Sequence, residues 1–151
     1  MSRFNSVVKA SRLGPSAALL AILLAACASQ PPRNDSLYRD LGGQEAISNF
    51  VEDTIIRLLE NPRIAHLFAD VDLVNLHQQL TAQICFEAGG PCDYTGRSME
   101  EAHRGLAIDE GEFNALVEDL IDAMEAHQVP VSAQNRLLAR LAPMRRQIIH
   151  Q

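Results

Sequence analysis

The sequence predicts a small all-helical domain. Three observations carry that expectation: apolar residues recur at three- and four-residue spacing in four stretches, Gly and Pro punctuate the chain between them, and no run alternates with the period of two that a half-buried strand requires. With 151 residues, 47% hydrophobic and only 5% aromatic, the chain has room for one domain whose core is mostly aliphatic. Thirteen basic residues stand against nineteen acidic ones, a net charge of −6, and no dense Lys/Arg run occurs. No nucleic-acid partner is expected, because that footprint must neutralise phosphates.

The first stretch runs from Gln44 to Glu60, where Ala46, Ile47, Phe50, Val51, Ile55, Leu58 and Leu59 keep helical spacing until Asn61-Pro62 stops the pattern. A short segment at 62–68 leads to a second stretch, about 71–86, with Leu73, Leu76, Leu80 and Ile84 on one face, ended by Gly89-Gly90-Pro91. Asp109 with Glu112 three residues later has the form of a capping box and opens a helix over 109–126, carrying Phe113, Leu116, Val117, Leu120, Ile121 and Met124. After Val129-Pro130, Ser132 is expected to cap a last helix over 132–149 with Leu137, Leu138, Leu141, Met144 and Ile148 inward. Arg136, Arg140, Arg145 and Arg146 lie toward its C-terminal end, where the helix dipole favours cations. The stretch from Cys92 to Ile108 is poorly patterned and long for an idle loop in a compact domain. Within it, Ser98-Met99-Glu100-Glu101-Ala102-His103 can form one or two helical turns.

The N-terminus has a different character. Residues 1–12 hold Arg3, Lys9 and Arg12 and no acid, and 16–26 form an apolar run before Cys27, with the length of a secretory h-region and short of the roughly 20 residues that span a bilayer. Leu24-Ala25-Ala26-Cys27 resembles the bacterial lipobox, in which the Cys thiol is lipidated; the plainer alternative is a secretory signal with Cys27 as a bystander. On the lipoprotein reading, residues 1–26 are the signal peptide, 27–36 are the lipidated Cys and a flexible linker, and 37–151 are the soluble domain. The resemblance also implies an exported protein, with Ala28 favouring an outer-membrane anchor facing the periplasm. Without Arg3, Lys9 and Arg12, ten basic residues face nineteen acids, a net of −9, and all ten are Arg because Lys9 is the chain's single lysine. Anionic ligand groups would then be held by Arg, His or backbone N–H.

The residue with the most chemistry to offer is His103. Met99 and Leu106 can share its face of a short helix, which admits a core histidine, and no Cys or His stands beside it at zinc-ligand spacing. A haem iron is the other reading, because one axial protein ligand suffices when apolar side chains build the rest of the pocket.

The order of motifs then becomes informative. Tyr38-x-x-Leu41-Gly42-Gly43-x-x-Ala46-Ile47, Asn61-Pro62, Phe68, Gly89-Gly90-Pro91-x-x-Tyr94-x-Gly96-x-x-Met99-x-x-x-His103-x-x-Leu106-x-Ile108, Phe113 and Val129-Pro130 occur in sequence across 37–149. Together they resemble the group 1 truncated (two-over-two) haemoglobins. The resemblance implies a truncated globin fold, a two-over-two helical sandwich around haem b, with His103 as the proximal iron ligand. It implies that Phe68 stacks on the porphyrin edge, that Met99, Ala102, Leu106, Ile108, Phe113 and Leu116 form the proximal wall, and that Tyr94 lies near the haem propionates. Arg97 beside it is a candidate propionate partner, a solvated surface Arg being the alternative.

The distal side departs from that family. Group 1 members usually carry a Phe-Tyr pair where this chain has Thr54 and Ile55, and a glutamine where it has Leu80; Leu76 takes the position nearest the sixth ligand site, and Ile84 continues the face. The implied wall is apolar. His77, Gln78, Gln79 and Gln83 are the polar residues on the distal helix; His77 is a candidate sixth ligand or a surface group, and Thr54 either a weak donor or bonded to its own helix. Cys85 and Cys92 flank a turn-forming Phe-Glu-Ala-Gly-Gly-Pro, and in an oxidising compartment they are expected to pair.

The leading expectation is a lipid-anchored haem globin that reversibly binds a diatomic gas, O2, NO or CO. Turnover of nitric oxide would need a partner reductase, since the chain has no flavin or nicotinamide motif. A haem-free globin-like envelope lipoprotein serving as an interaction module, and electron transfer through a six-coordinate haem, are the alternatives.

Overall fold

The computed structural model describes residues 34–151. The expected signal peptide at 1–26, Cys27 and the linker as far as residue 33 lie outside the described residues. Six α-helices and two 3-10 turns follow in order: α1 (Ser36–Asp40), α2 (Gly43–Glu60), a 3-10 turn (Ala65–Phe68), α3 (Leu73–Glu87), α4 (Met99–His103), α5 (Glu110–Ala126), α6 (Val131–Leu141) and a second 3-10 turn (Ala142–Gln147). Among the described residues there is no strand, and no helix is long and apolar enough to cross a membrane.

α2 is the centre of the packing. Ile47, Phe50, Val51, Ile55 and Leu58 recur at three- and four-residue spacing, so they share one broad stripe that is buried against both α3 and α5. Burying each of the larger ones contributes about 1.5–3 kcal/mol relative to leaving it in water. The helix starts at Gly42, whose φ of +92° and whose approach to Ala46, where an added Cβ would lie 2.6 Å from the Ala46 Cβ, leave room only for glycine. α1 begins at Ser36, inside the stretch assigned to the linker. It buries Leu37, and Tyr38 N–H donates to the Ala88 carbonyl at the end of α3.

Both expected ends of α5 are present: Asp109 and Glu112 form a reciprocal capping box, and His127 closes the helix. The last helix differs from expectation at both ends. Its N-cap is Pro130, and Ser132 makes no cap; the entry is fastened instead by the buried Gln134 amide, which donates to the Val129 carbonyl at 2.9 Å. It stops at Leu141, because Pro143 has no N–H for the carbonyl one turn back and its ring crowds that carbonyl, so the chain continues as a 3-10 turn. The apolar spacing of Leu141, Met144 and Ile148 had suggested a longer helix than the backbone permits.

Cys85 and Cys92 are joined by a disulfide, with Cα atoms 6.0 Å apart. The bond fastens the last turn of α3 to the segment that leads to α4.

Candidate functional site

α4 is five residues long, too short to persist by itself, since helix nucleation costs more than so few bonds return. Side chains hold it. Glu101 N–H donates to Ser98 Oγ at 3.3 Å, while Ser98 N–H and Oγ–H donate to Glu101 Oε2 at 3.2 and 2.9 Å, a complete capping box. Those bonds from the Ser98 side chain and backbone lower the Glu101 carboxyl below its ordinary range, outweighing its slight desolvation, with the Arg104 and Arg97 charges adding to the effect.

His103 ends this helix. Its Nδ1 lies 2.7 Å from the Met99 carbonyl oxygen. A carbonyl only accepts, so the contact assigns the proton to Nδ1 and leaves Nε2 with its lone pair available to a metal. The same kind of bond is the usual partner that orients a metal-ligating histidine. Beyond it the chain turns sharply, with Gly105 at φ +82° and Ala107 at φ +51°. Gly105 and Ala107 N–H both donate to the Gln151 carbonyl, at 3.1 and 3.3 Å, and His150 N–H donates to the Ile108 carbonyl. The irregular strap that carries His103 is thus held by the capping box before it and by the C-terminal residues after it.

The side chains expected to form the walls are distributed over two apolar clusters. Ile84 belongs to the main one, and Leu76 and Leu80 pack against it while staying half-buried. Phe68 and Leu116 pack on a smaller cluster of Leu58, Ile64 and Ala115. Met99, Ala102 and Phe113 are half-buried, Ile108 is buried and Leu106 is 43% exposed. Arg145 extends over the Phe113 ring, 5.8 Å from its centre.

No group of three or more His, Cys, Asp or Glu side chains among the described residues is arranged to hold a bare metal ion. One histidine with a free Nε2 and half-buried aliphatic walls fits a metal that brings its own equatorial ligands, as haem does.

On the distal side, Thr54 is buried and its hydroxyl donates to the Phe50 carbonyl of its own helix at 2.7 Å, so the donor is already committed. Ile55 is buried and purely apolar. His77 is turned to α2: its Nε2 lies 3.0 Å from the Ser48 carbonyl and 3.3 Å from Ser48 Oγ. The ring joins Ile55, Ile56, Leu59, Leu73, Val74 and Glu52 along an open groove of about 360 Å³ between α2 and α3. His77, the candidate sixth ligand, is thus placed with its Nε2 on Ser48.

Gln79 leans on the segment before α4, where a Cβ on Gly96 would meet its Oε1 at 2.5 Å and the Tyr94 ring and hydroxyl at 2.6 Å. Glycine is what lets these groups close over the backbone there. Tyr94 Oη donates to the Arg97 carbonyl at 2.9 Å, and burial raises its ionisation above the ordinary 10.0 despite the opposing Arg97 charge. Arg97 itself is exposed. Gln83, by contrast, is buried, with its amide Nε2 3.3 Å from Met144 Sδ and 3.6 Å from Met99 Sδ. Ser48, Met144 and Gln151 were not among the expected site residues; each acts through a partner at least 29 positions away, a relation that local spacing does not encode.

Residues 36–150 match the family described as Bacterial-like globin. The chain belongs to that family. Among its relatives, this globin is 36% identical over 99 residues to the group 1 truncated hemoglobin of Synechocystis sp., covering 63% of this chain and 80% of the relative. It is 30% identical over 115 residues to that of Nostoc commune, covering 76% and 98%. Among solved structures, the Fe(III) truncated hemoglobin from Tetrahymena pyriformis superposes on the globin with a TM-score of 0.74 at 26% identity, covering 76% of this chain and 98% of that one. The 2/2 hemoglobin from Synechococcus sp., with covalently attached heme, shares the fold at a TM-score of 0.68 and 23% identity, covering 74% and 94%. The all-helical, two-over-two architecture expected from the sequence is the one the globin has.

Proposed function

We propose that this globin holds haem b through His103 and reversibly binds a diatomic gas, O2, NO or CO, against an apolar distal wall. The observation that carries the reading is the Nδ1 contact with the Met99 carbonyl, which supports the Nδ1–H tautomer and so an Nε2 lone pair left for a metal. When bound, haem would supply the iron that takes the gas. Met99, Ala102, Leu106, Ile108, Phe113 and Leu116 would enclose its proximal face, Phe68, Leu76, Leu80 and Ile84 would exclude water from the other, and Tyr94 and Arg97 would stand at the propionate edge.

The distal wall sets the preference among gases. Bound oxygen carries negative charge on its outer atom, and each charge-assisted hydrogen bond absent from the pocket costs about 1–3 kcal/mol, roughly 5- to 150-fold in affinity. Carbon monoxide and nitric oxide depend less on such donors. With Thr54 bonded to its own helix and His77 to Ser48, this chain favours those ligands relative to oxygen more than a pocket with a tyrosine donor does. Turnover of nitric oxide would draw electrons from a separate reductase.

Export and lipid attachment at Cys27, with the domain facing the periplasm from the outer membrane, complete the proposal. The Cys85–Cys92 disulfide supports it, because such a bond persists in an oxidising compartment and is rare in the cytosol.

The test is the absorption spectrum of the full chain expressed with haem supplied, in ferric, ferrous and carbon monoxide-bound forms, beside His103→Ala. A stoichiometric Soret band that converts to a carbonyl form and is lost or loosened in the variant is the expected result. A folded helical protein that takes up no haem would refute the proposal and favour an interaction module. A ferric spectrum that is low-spin without added ligand would refute the open distal position and point to electron transfer.

A further inference from the structure

Gln83 of α3 stands at a seam of three elements. Only 8% of it is exposed, and its amide Nε2 lies 3.3 Å from Met144 Sδ of the second 3-10 turn and 3.6 Å from Met99 Sδ of α4. Thioether sulfur is a weak acceptor, so a buried amide donating to it recovers little of the hydration it gave up. A leucine would fill a similar volume without that cost. The two sulfurs also differ from the core methionine: Met124 is fully enclosed, whereas Met99 and Met144 are half-buried, within reach of a reagent as small as a peroxide.

The chemistry that would use this pairing is oxygen transfer to sulfur. With hydrogen peroxide, the sulfur lone pair attacks one peroxide oxygen; the O–O bond breaks, an S–O bond forms, and the hydroxyl proton passes to the second oxygen, which leaves as water. Sulfur gives up two electrons and the peroxide gains them. The product ordinarily harms packing, because an apolar side chain has become a polar one whose oxygen finds no donor. Here the two N–H groups of one amide already face both sulfurs at contact distance. A sulfoxide oxygen carries negative charge that a thioether lacks, so the same donors would meet a stronger acceptor.

We propose that Met99 and Met144 form a peroxide-modification site at which the Gln83 amide receives the sulfoxide oxygen, so that oxidation fastens α3 to α4 and the 3-10 turn instead of loosening them. Reversal takes two electrons from a dithiol, which becomes a disulfide, and releases the oxygen as water. The inference is independent of haem binding, since it uses only the contacts among Gln83, Met99 and Met144. The modified seam adjoins the candidate axial base through Met99, whose carbonyl oxygen lies 2.7 Å from His103 Nδ1.

The test treats the full chain, free of haem so that no iron consumes the oxidant, with hydrogen peroxide; it maps oxygen uptake by peptide mass and follows thermal unfolding before and after, in the parent and in Gln83→Leu. Met99 and Met144 are expected to take up oxygen well before Met124. The oxidised parent should melt about 4 °C higher, the shift that one hydrogen bond of ordinary strength gives a domain of this size. Oxidised Gln83→Leu should instead melt about 4 °C or more below its untreated form, because the new oxygen has lost its donor. If Gln83→Leu does not fold, the double variant Met99→Leu with Met144→Leu decides: it has no sulfur at the seam and should keep its melting temperature under the same treatment, which also accounts for oxidation of Met1 or Cys27. Uptake at Met99 and Met144 no faster than at Met124 would overturn the proposal, as would a parent melting temperature that is unchanged or falls on oxidation. A rise that persists in Gln83→Leu or in the double variant would overturn it too, since the gain would then come from elsewhere in the chain.

Discussion

Reducing the Cys85–Cys92 bond should lower the stability of the haem-free domain by an amount set by the loop it closes. The two residues are seven positions apart. Loop-closure entropy for so short a loop is about 8 cal/mol/K, or about 2.4 kcal/mol at 25 °C. The 118 described residues imply an unfolding entropy of about 250 cal/mol/K, so the melting temperature should fall by about 10 °C. Native strain works against the full value, but the ends of this loop are already placed without the bond, since Gly90 N–H donates to the Cys85 carbonyl at 2.8 Å and Ala88 accepts from Tyr38. The assay is thermal unfolding by circular dichroism with and without a dithiol, beside Cys92→Ser, with thiols counted in the unfolded, unreduced chain. A shift under about 3 °C would refute the loop-entropy argument, and titration of both Cys85 and Cys92 as free thiols would refute the bond itself.

Thr54→Val should leave the C–O stretching frequency of the carbon monoxide complex unchanged and alter stability by less than about 1 kcal/mol, because the hydroxyl serves only a helix carbonyl that already accepts a backbone bond. An infrared shift would show that Thr54 turns into the pocket. Alkaline titration by phenolate absorbance should show Tyr94 ionising above 10.0, and Tyr94→Phe should remove that late step. Because the folded pKa is raised, the stabilisation linked to the neutral phenol is fully present below its unfolded pKa and is lost as pH rises through the folded one; denaturant midpoints that stay flat across that alkaline window would contradict the burial of this hydroxyl.

The helices were legible because their information is local. Apolar spacing marks α2, α3 and α5 within a residue or two, and Asp109 with Glu112 announces the start of α5, since a capping box needs only two residues of one turn. The end of α6 was also written in the sequence at Pro143, where the missing N–H outweighs a continuing apolar spacing. His103 was legible as a candidate ligand by its place in an ordered series of motifs. The free state of its Nε2 was not, because it depends on where the Met99 carbonyl points once Ser98 and Glu101 have folded α4.

What the sequence by itself determined is the residue inventory of this globin: an aliphatic core, one candidate axial histidine, an apolar stripe on the expected distal helix, and two cysteines at either side of a glycine turn. What only the tertiary structure decided is which polar side chains remain available to a ligand. His77, Gln79 and Gln83 look alike along α3, yet one is claimed by Ser48, one lies on Gly96, and one rests on two sulfurs from 16 and 61 positions away. The reason is physical: helical periodicity assigns a side chain to a face, but whether its donor is spent depends on which acceptor the opposing element carries to within about 3 Å, and that is settled by packing between segments distant in the chain.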